Sequence, residues 1–237
     1  MNNKNVLILF FILALTMPAA TLSAQAGNEN ISFSTGNFFM RANRPTNIVK
    51  VIDGTPYVDG KEFHKAKIKG YSEALPNLRY NAYADEMEFM VDSTLYYANK
   101  EHNSEIIFPS LNKVYQMKRY KIDNREHFGY LVLLADLNQY QLYKREKVEL
   151  LPGEKSPSAF GKDANDYYAK QKDLYLIAQG QNYSKTPKNI KEAAVLFNED
   201  SKVIQTYLKK NKLQFGKEAD LIKIVRHFDS IKSSRTK

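Results

Sequence analysis

Apolar residues in this chain recur at two different periods, and the change comes at Gly180. Before it they alternate in short runs. Met87, Phe89 and Val91 fall on one side, and Glu86, Glu88 and Met90 on the other. Side chains two apart on a strand share a face, so this reads as a half-buried strand with Glu86 and Glu88 in water. Leu78, Tyr80 and Ala82 repeat the pattern, residues 63–68 alternate weakly as an edge strand would, and residues 48–52 are a β-branched run. Residues 95–97, 106–108 and 114–117 continue the series. Turn pairs at Asp53-Gly54, Asp59-Gly60, Asp92-Ser93 and Asp123-Asn124 divide it. Residues 128–134 are apolar on both faces, which predicts a central strand. Asp136-Leu137-Asn138 turns the chain and residues 140–145 return. Residues 152–166, rich in Gly, Pro, Ser and Lys, read as a surface loop, and 174–178 as the last strand.

Beyond Gly180 the spacing is helical. Thr186-Pro187 predicts a cap followed by proline at the first helical position. Ile190, Ala193, Ala194 and Phe197 form one stripe. Val203, Ile204, Tyr207 and Leu208 form a second, with Asn211 suited to a helix end, and Leu221, Ile224, Val225, Phe228 and Ile231 form a third. Such stripes must be buried, most simply on a sheet face. The expected fold is α+β: an antiparallel, twisted or barrel-like β-sheet body over residues 48–182, followed by a C-terminal helical segment, 183–237, packed on the same domain.

The first residues stand apart. Lys4 precedes an apolar run from Val6 to Met17, then Pro18 and small residues ending in Ala24-Gln25-Ala26. This predicts a cleaved secretory signal over residues 1–26, because the run is well short of the roughly 20 residues a spanning helix needs. Residues 27–47 are expected to be a flexible segment. The chain has no cysteine, so it forms no disulfide and cannot be a lipoprotein anchored through one. The expected location is periplasmic or secreted, with no transmembrane segment after cleavage.

The formal net charge is +9. Residues 183–237 carry 13 Lys or Arg against 6 Asp or Glu, whereas residues 27–182 carry 21 against 20. The body is balanced and the C-terminal segment is basic, so Lys209, Lys210 and Lys212 are candidates for contact with an acidic envelope partner. Nucleic acid is not an expected partner for an exported chain.

Enzyme signatures are absent. Glu86 and Glu88 would stand roughly 7 Å apart on one strand face, but side by side, not facing each other across a substrate as glycosidase carboxylates do. His64, His102, His127 and His227 are too scattered for a zinc motif, and no phosphate loop, dinucleotide fingerprint or nucleophile elbow occurs. No cofactor, metal or catalytic residue is predicted. Sixteen tyrosines and no tryptophan are more informative. Tyrosine packs across strands but also suits ligand grooves and docking surfaces. Tyr80, Tyr83, Tyr96, Tyr97, Tyr167 and Tyr168 are the candidates, for a small apolar ligand or a partner.

Gly54-Thr55-Pro56-Tyr57, Leu78-Arg79-Tyr80-Asn81, the central hairpin and Lys209-Lys210-Asn211 together resemble a group of uncharacterised exported proteins of Gram-negative bacteria. The resemblance spans residues 48–231 and implies an envelope location. That group has no assigned activity, so it implies no site residues. The functional expectation is a non-enzymatic exported protein binding a ligand in a tyrosine-lined interior or an envelope partner. The alternatives are an interaction module docking through its basic helices and, last, a hydrolase with a dispersed site. A pocket with two converging carboxylates or a His–carboxylate pair would mark the last of these.

Overall fold

The computed structural model describes residues 30–32, 39–42, 51–71, 74–158 and 160–235. The expected signal peptide lies outside them. Part of the segment expected to be flexible is strand: β1 (Asn30–Ser32) pairs with β2 (Phe39–Ala42). Of the run at 48–52 only its end is described, in β3 (Ile52–Asp53). The weakly alternating residues 63–68 yield a single bridge at His64 and the short β4 (Lys67–Ile68).

The alternating runs then become β5 (Leu78–Asn81), β6 (Glu86–Val91), β7 (Thr94–Ala98) and β8 (Glu105–Phe108). Next come the long β9 (Lys113–Ile122) and β10 (Arg125–Asp136), then β11 (Gln141–Arg145) and β12 (Val148–Leu151). After the loop follow β13 (Asp166–Lys170), β14 (Leu174–Gln179) and β15 (Asn182–Lys185). A five-stranded sheet runs β1-β2-β7-β6-β5, a seven-stranded sheet β15-β14-β11-β10-β9-β8-β4, and a small one β12-β13-β3. All pairs are antiparallel except β13 with β3. The apolar run at 128–134 is central, as its two apolar faces demand, with β9 and β11 on either side.

The seven-stranded sheet carries the core. On one face, Tyr115, Met117, Tyr130 and Val132 pack against Leu78, Tyr80, Met87, Phe89 and Tyr96 of the five-stranded sheet. A bulge between Leu133 and Ala135 lets the same face continue through Ala135, Leu142 and Ile177, and here the helices cover it. On the other face, Tyr120, Leu131, Tyr143 and Leu176 form a smaller cluster. The sheet curls around this cluster until β15 comes alongside β9. Tyr183 lies 5.6 Å from Tyr120, and Lys185 pairs with Asp123. No ladder joins the two strands, so the sheet is strongly curled but open. The barrel-like alternative is corrected to that extent.

The helices are α1 (Ile190–Phe197), α2 (Ser201–Asn211) and α3 (Glu218–Arg235). Each buries most of the stripe the spacing predicted, Ala193 and Phe197, Ile204 and Leu208, and Leu221, Ile224, Val225 and Phe228, but Val203 of the second stripe is 43% exposed. Phe197 and Phe228 stack with centroids 4.7 Å apart, and Tyr140 meets Phe197 edge-on. Each such side chain, once buried, stabilises the docked helices by about 1.5–3 kcal/mol. Sheet and helices therefore share one core.

Two helix caps differ from expectation. The first cap is Asn189, not Thr186: its side chain accepts from Glu192 N at 2.9 Å while Glu192 Oε2 accepts from Lys188 N. α2 ends at Asn211 as expected, but the residue in the left-handed region is the next one, Lys212, at φ 53°.

Candidate functional site

Lys209 and Lys210 occupy the last turn of α2 and Lys212 its C-cap, all exposed. Ile204 and Leu208 turn the apolar side of α2 inward, so the cations face out. At a helix C-terminus they also oppose the dipole, which by itself is a structural role. The acids of the helical segment have a different fate. Glu192 accepts from Lys188 N ahead of α1, Asp200 caps α2, and Glu199 pairs with Arg235 at 2.9 Å. Glu218 accepts from Lys144 and Tyr175, each at 3.1 Å, and Asp220 from Gln214 N. The buried Asp229 accepts from Gln139 N and Tyr140 N, at 2.7 and 3.0 Å. All six are thus engaged internally. Among the described residues no ion pair engages Lys191, Lys202, Lys209, Lys210, Lys212, Lys217, Lys223 or Arg226, all exposed. The outer face of the helices is a field of uncompensated cations.

The candidate tyrosines scatter. Tyr80 and Tyr96 are in the core, Tyr80 tilted on Tyr115 at 4.8 Å and Tyr96 stacked on Phe89 at 5.8 Å. Tyr97 is half-buried on β7. Tyr83 and Tyr167 are exposed, and Tyr83 meets the half-buried Tyr168 edge-on at 5.3 Å. The structure thus brings together Tyr83 and Tyr168, and sets Tyr80 and Tyr83 in one cleft. It does not gather the six into one surface. Most of the other sheet tyrosines fill the core, where cross-strand packing accounts for them.

The reading of β6 needs correction. Glu88 is not in water but 1% exposed. Its register partner on β5 is Arg79, which donates to Glu88 Oε2 from Nε at 3.1 Å and Nη2 at 2.6 Å. Tyr57 OH and Asn81 Nδ2 complete the shell at 3.0 and 2.7 Å. The guanidinium lies over the rings of Tyr57 and Phe63, at 3.8 and 4.1 Å. Met90, assigned to the same face, is the exposed one.

Sequence reasoning missed a cleft that opens where β11 leaves β10. Its walls include Tyr80, Tyr83, Asp85, Tyr120, His127, Phe128, Arg145 and Glu146, around about 170 Å³ of space. β11 pairs with β10 only from Val132 onward. Asp85 fills part of the gap: its Oδ1 accepts from Tyr80 OH at 2.8 Å and from Tyr130 N at 3.1 Å, and Lys100 stands 3.4 Å from Oδ2. Gly129 permits this approach, since a methyl there would overlap the carboxylate. Burial pushes the Asp85 carboxyl up, against the pull of Lys100 and its hydrogen bonds. Glu146 goes the other way. Burial alone would raise it, but Lys113 at 2.8 Å, Tyr115 OH at 2.8 Å and Lys144 at 3.3 Å together hold it below the usual carboxylate range. His127 stacks on Tyr120 at 5.1 Å, and burial, Arg145 and Arg125 push its imidazole down.

Two carboxylates and a histidine thus line one cleft. Each carboxylate is bound by fixed internal donors, and among the described residues no hydrogen bond joins either to His127. No His, Asp and Glu group among the described residues is arranged to hold a metal ion, and no helix is long and apolar enough to cross a membrane. No protein-family model, curated protein or solved structure matches the chain.

Proposed function

We propose that this chain is an exported, non-enzymatic binding protein of the bacterial envelope that docks on an acidic partner protein through the outer face of its C-terminal helices. The observation that carries the reading is the fate of the charges: every acid of the helical segment is held internally, while among the described residues no ion pair engages the exposed lysines on the helices themselves, from Lys191 to Lys223. A fold needing these cations only for its own stability would pair more of them. The N-terminal signal pattern and the resemblance to exported proteins support the location.

An acidic protein fits better than a lipid surface. All three helices turn most of their apolar residues into the core shared with the sheet, and the exposed Val195 and Val203 are too few to form an apolar face that enters a bilayer. A small apolar ligand has less support. The interior expected for it is packed with its own tyrosines, and the curled sheet is open.

Salt tests the reading. At about 0.5 M the screening length falls to about 4 Å, so exposed charge pairs weaken sharply. The full chain should co-fractionate with envelope proteins at low salt and be released at high salt. The Lys209→Glu, Lys210→Glu, Lys212→Glu variant should be released without added salt. Retention that neither salt nor the triple variant reduces would overturn the reading. So would equal retention on protein-free vesicles of phosphatidylglycerol and phosphatidylethanolamine.

A further inference from the structure

We propose that the cleft where β10 and β11 part is a binding site for a small oxyanion, a carboxylate or a phosphoryl group, held by Arg145 and His127. The site lies in the sheet and uses none of the helix lysines, so it stands or falls independently of the docking reading.

The cleft is small: its space of about 170 Å³ lies below the roughly 300 Å³ at which drug-sized pockets begin. The cleft fits a small ion or a single charged group.

Charge then sets the sign. Both acids in the cleft already have cations: Lys100 stands beside Asp85, and Lys113 and Lys144 beside Glu146. Among the described residues Arg145 has no carboxylate partner. Its Nε is shielded from solvent with no acceptor among the described residues, and the hydroxyl beside its guanidinium is the neutral one of Tyr120. A guanidinium stays charged at any physiological pH, so this is a permanent, half-buried cation lacking an anion. Such a charge is costly alone and strongly favours a planar or tetrahedral oxyanion that accepts from its fork.

His127 is the second donor. The Tyr120 ring covers one side of it, and Arg145 and Arg125 face it. The nearby carboxylate, Asp123, is paired with Lys185. An imidazole among cations is held neutral. An anion placed between it and Arg145 reverses that balance and draws a proton onto the ring. Binding should therefore tighten as pH falls through the His127 midpoint.

The test is a ¹⁵N NMR titration of the His127 side chain in the full chain, with inorganic phosphate or acetate replacing chloride at constant ionic strength. A saturable rise in the midpoint is expected. It should persist in Lys65→Gln, an exposed control outside both the cleft and the helix face, and disappear in Arg145→Gln. Arg145→Lys, which keeps the charge without the fork, should weaken binding by about tenfold or more and serves if Arg145→Gln does not fold. Response to both anions assigns a general oxyanion site; response to phosphate alone assigns a phosphoryl group, and to acetate alone a carboxylate. A midpoint that neither anion moves, that shifts without saturating, or that shifts equally in the Arg145 variants overturns the proposal.

Discussion

Glu88 shows what a single residue in this fold depends on. Its carboxylate is 2% exposed on the side chain and the Arg79 guanidinium 13%, so their bond at 2.6 Å is shielded from water. Removing one member of a buried pair strands the other. Glu88→Ala should therefore lower stability by about 3–5 kcal/mol in urea unfolding, and Glu88→Gln by less, because the amide still accepts. A loss below about 1 kcal/mol would mean that the pair behaves as a solvated surface bridge. The alternation of β6 correctly separated Met87 and Phe89 from Glu88. It could not say what covers the second face, because Tyr57 and Phe63 arrive there from a segment without regular structure. Parity assigns faces; only tertiary packing decides which face is wet.

At the scale of elements, the stripes were the legible part. Each helix buries most of the positions its spacing indicated, Val203 excepted, because the sheet offers one continuous apolar face. The central hairpin was legible for the same reason. β15 was not, being four mostly polar edge residues, although Gly180 at φ 60° as the first residue of a two-residue turn is a hairpin signal. The first cap was also readable, since Asn189 and Glu192 have the spacing of a capping box. Lys212 gives a test that separates docking from folding. Its left-handed backbone penalises a Cβ, so Lys212→Gly should raise stability by about 0.5–1 kcal/mol. The same change removes one cation from the proposed docking face and should lower the salt needed for release. A variant that is less stable, or docks as tightly as the parent, would contradict this.

Across the whole molecule, charge connects the two halves of the core. Asp59 pairs with Lys113 at 2.6 Å, Lys113 and Lys144 converge on Glu146, and Lys144 reaches Glu218 at the start of α3 at 3.1 Å. Tyr175 joins at Glu218, its hydroxyl pushed up to about 12, by burial first and then by that carboxylate. No local pattern shows this chain, because its members come from five separate stretches of sequence. The cleft is hidden for the same reason.

The chain sets a pH response. Glu146 has its folded value depressed, so its contribution is complete above the unfolded carboxylate value of about 4.3 and is lost as pH falls through the lower folded value. Asp85 is raised, so its protonation favours the fold as pH falls through its folded value toward the unfolded one. Urea midpoints between about pH 7 and about pH 3 should thus fall at the acid end. The fall should be shallower in Glu146→Gln and steeper in Asp85→Asn. Identical acid limbs in all three proteins would show that neither group carries the response.

If the outer helix face meets an acidic protein, a photocrosslinker placed on that face will capture it. A photoreactive residue at position 210 would be carried by the full chain in its own envelope, with one at the exposed position 90 on β6 as control. The account predicts a discrete protein adduct from position 210 that disappears at high salt and does not form from position 90. Adducts to lipid, no adduct, or the same adduct from both positions would contradict it.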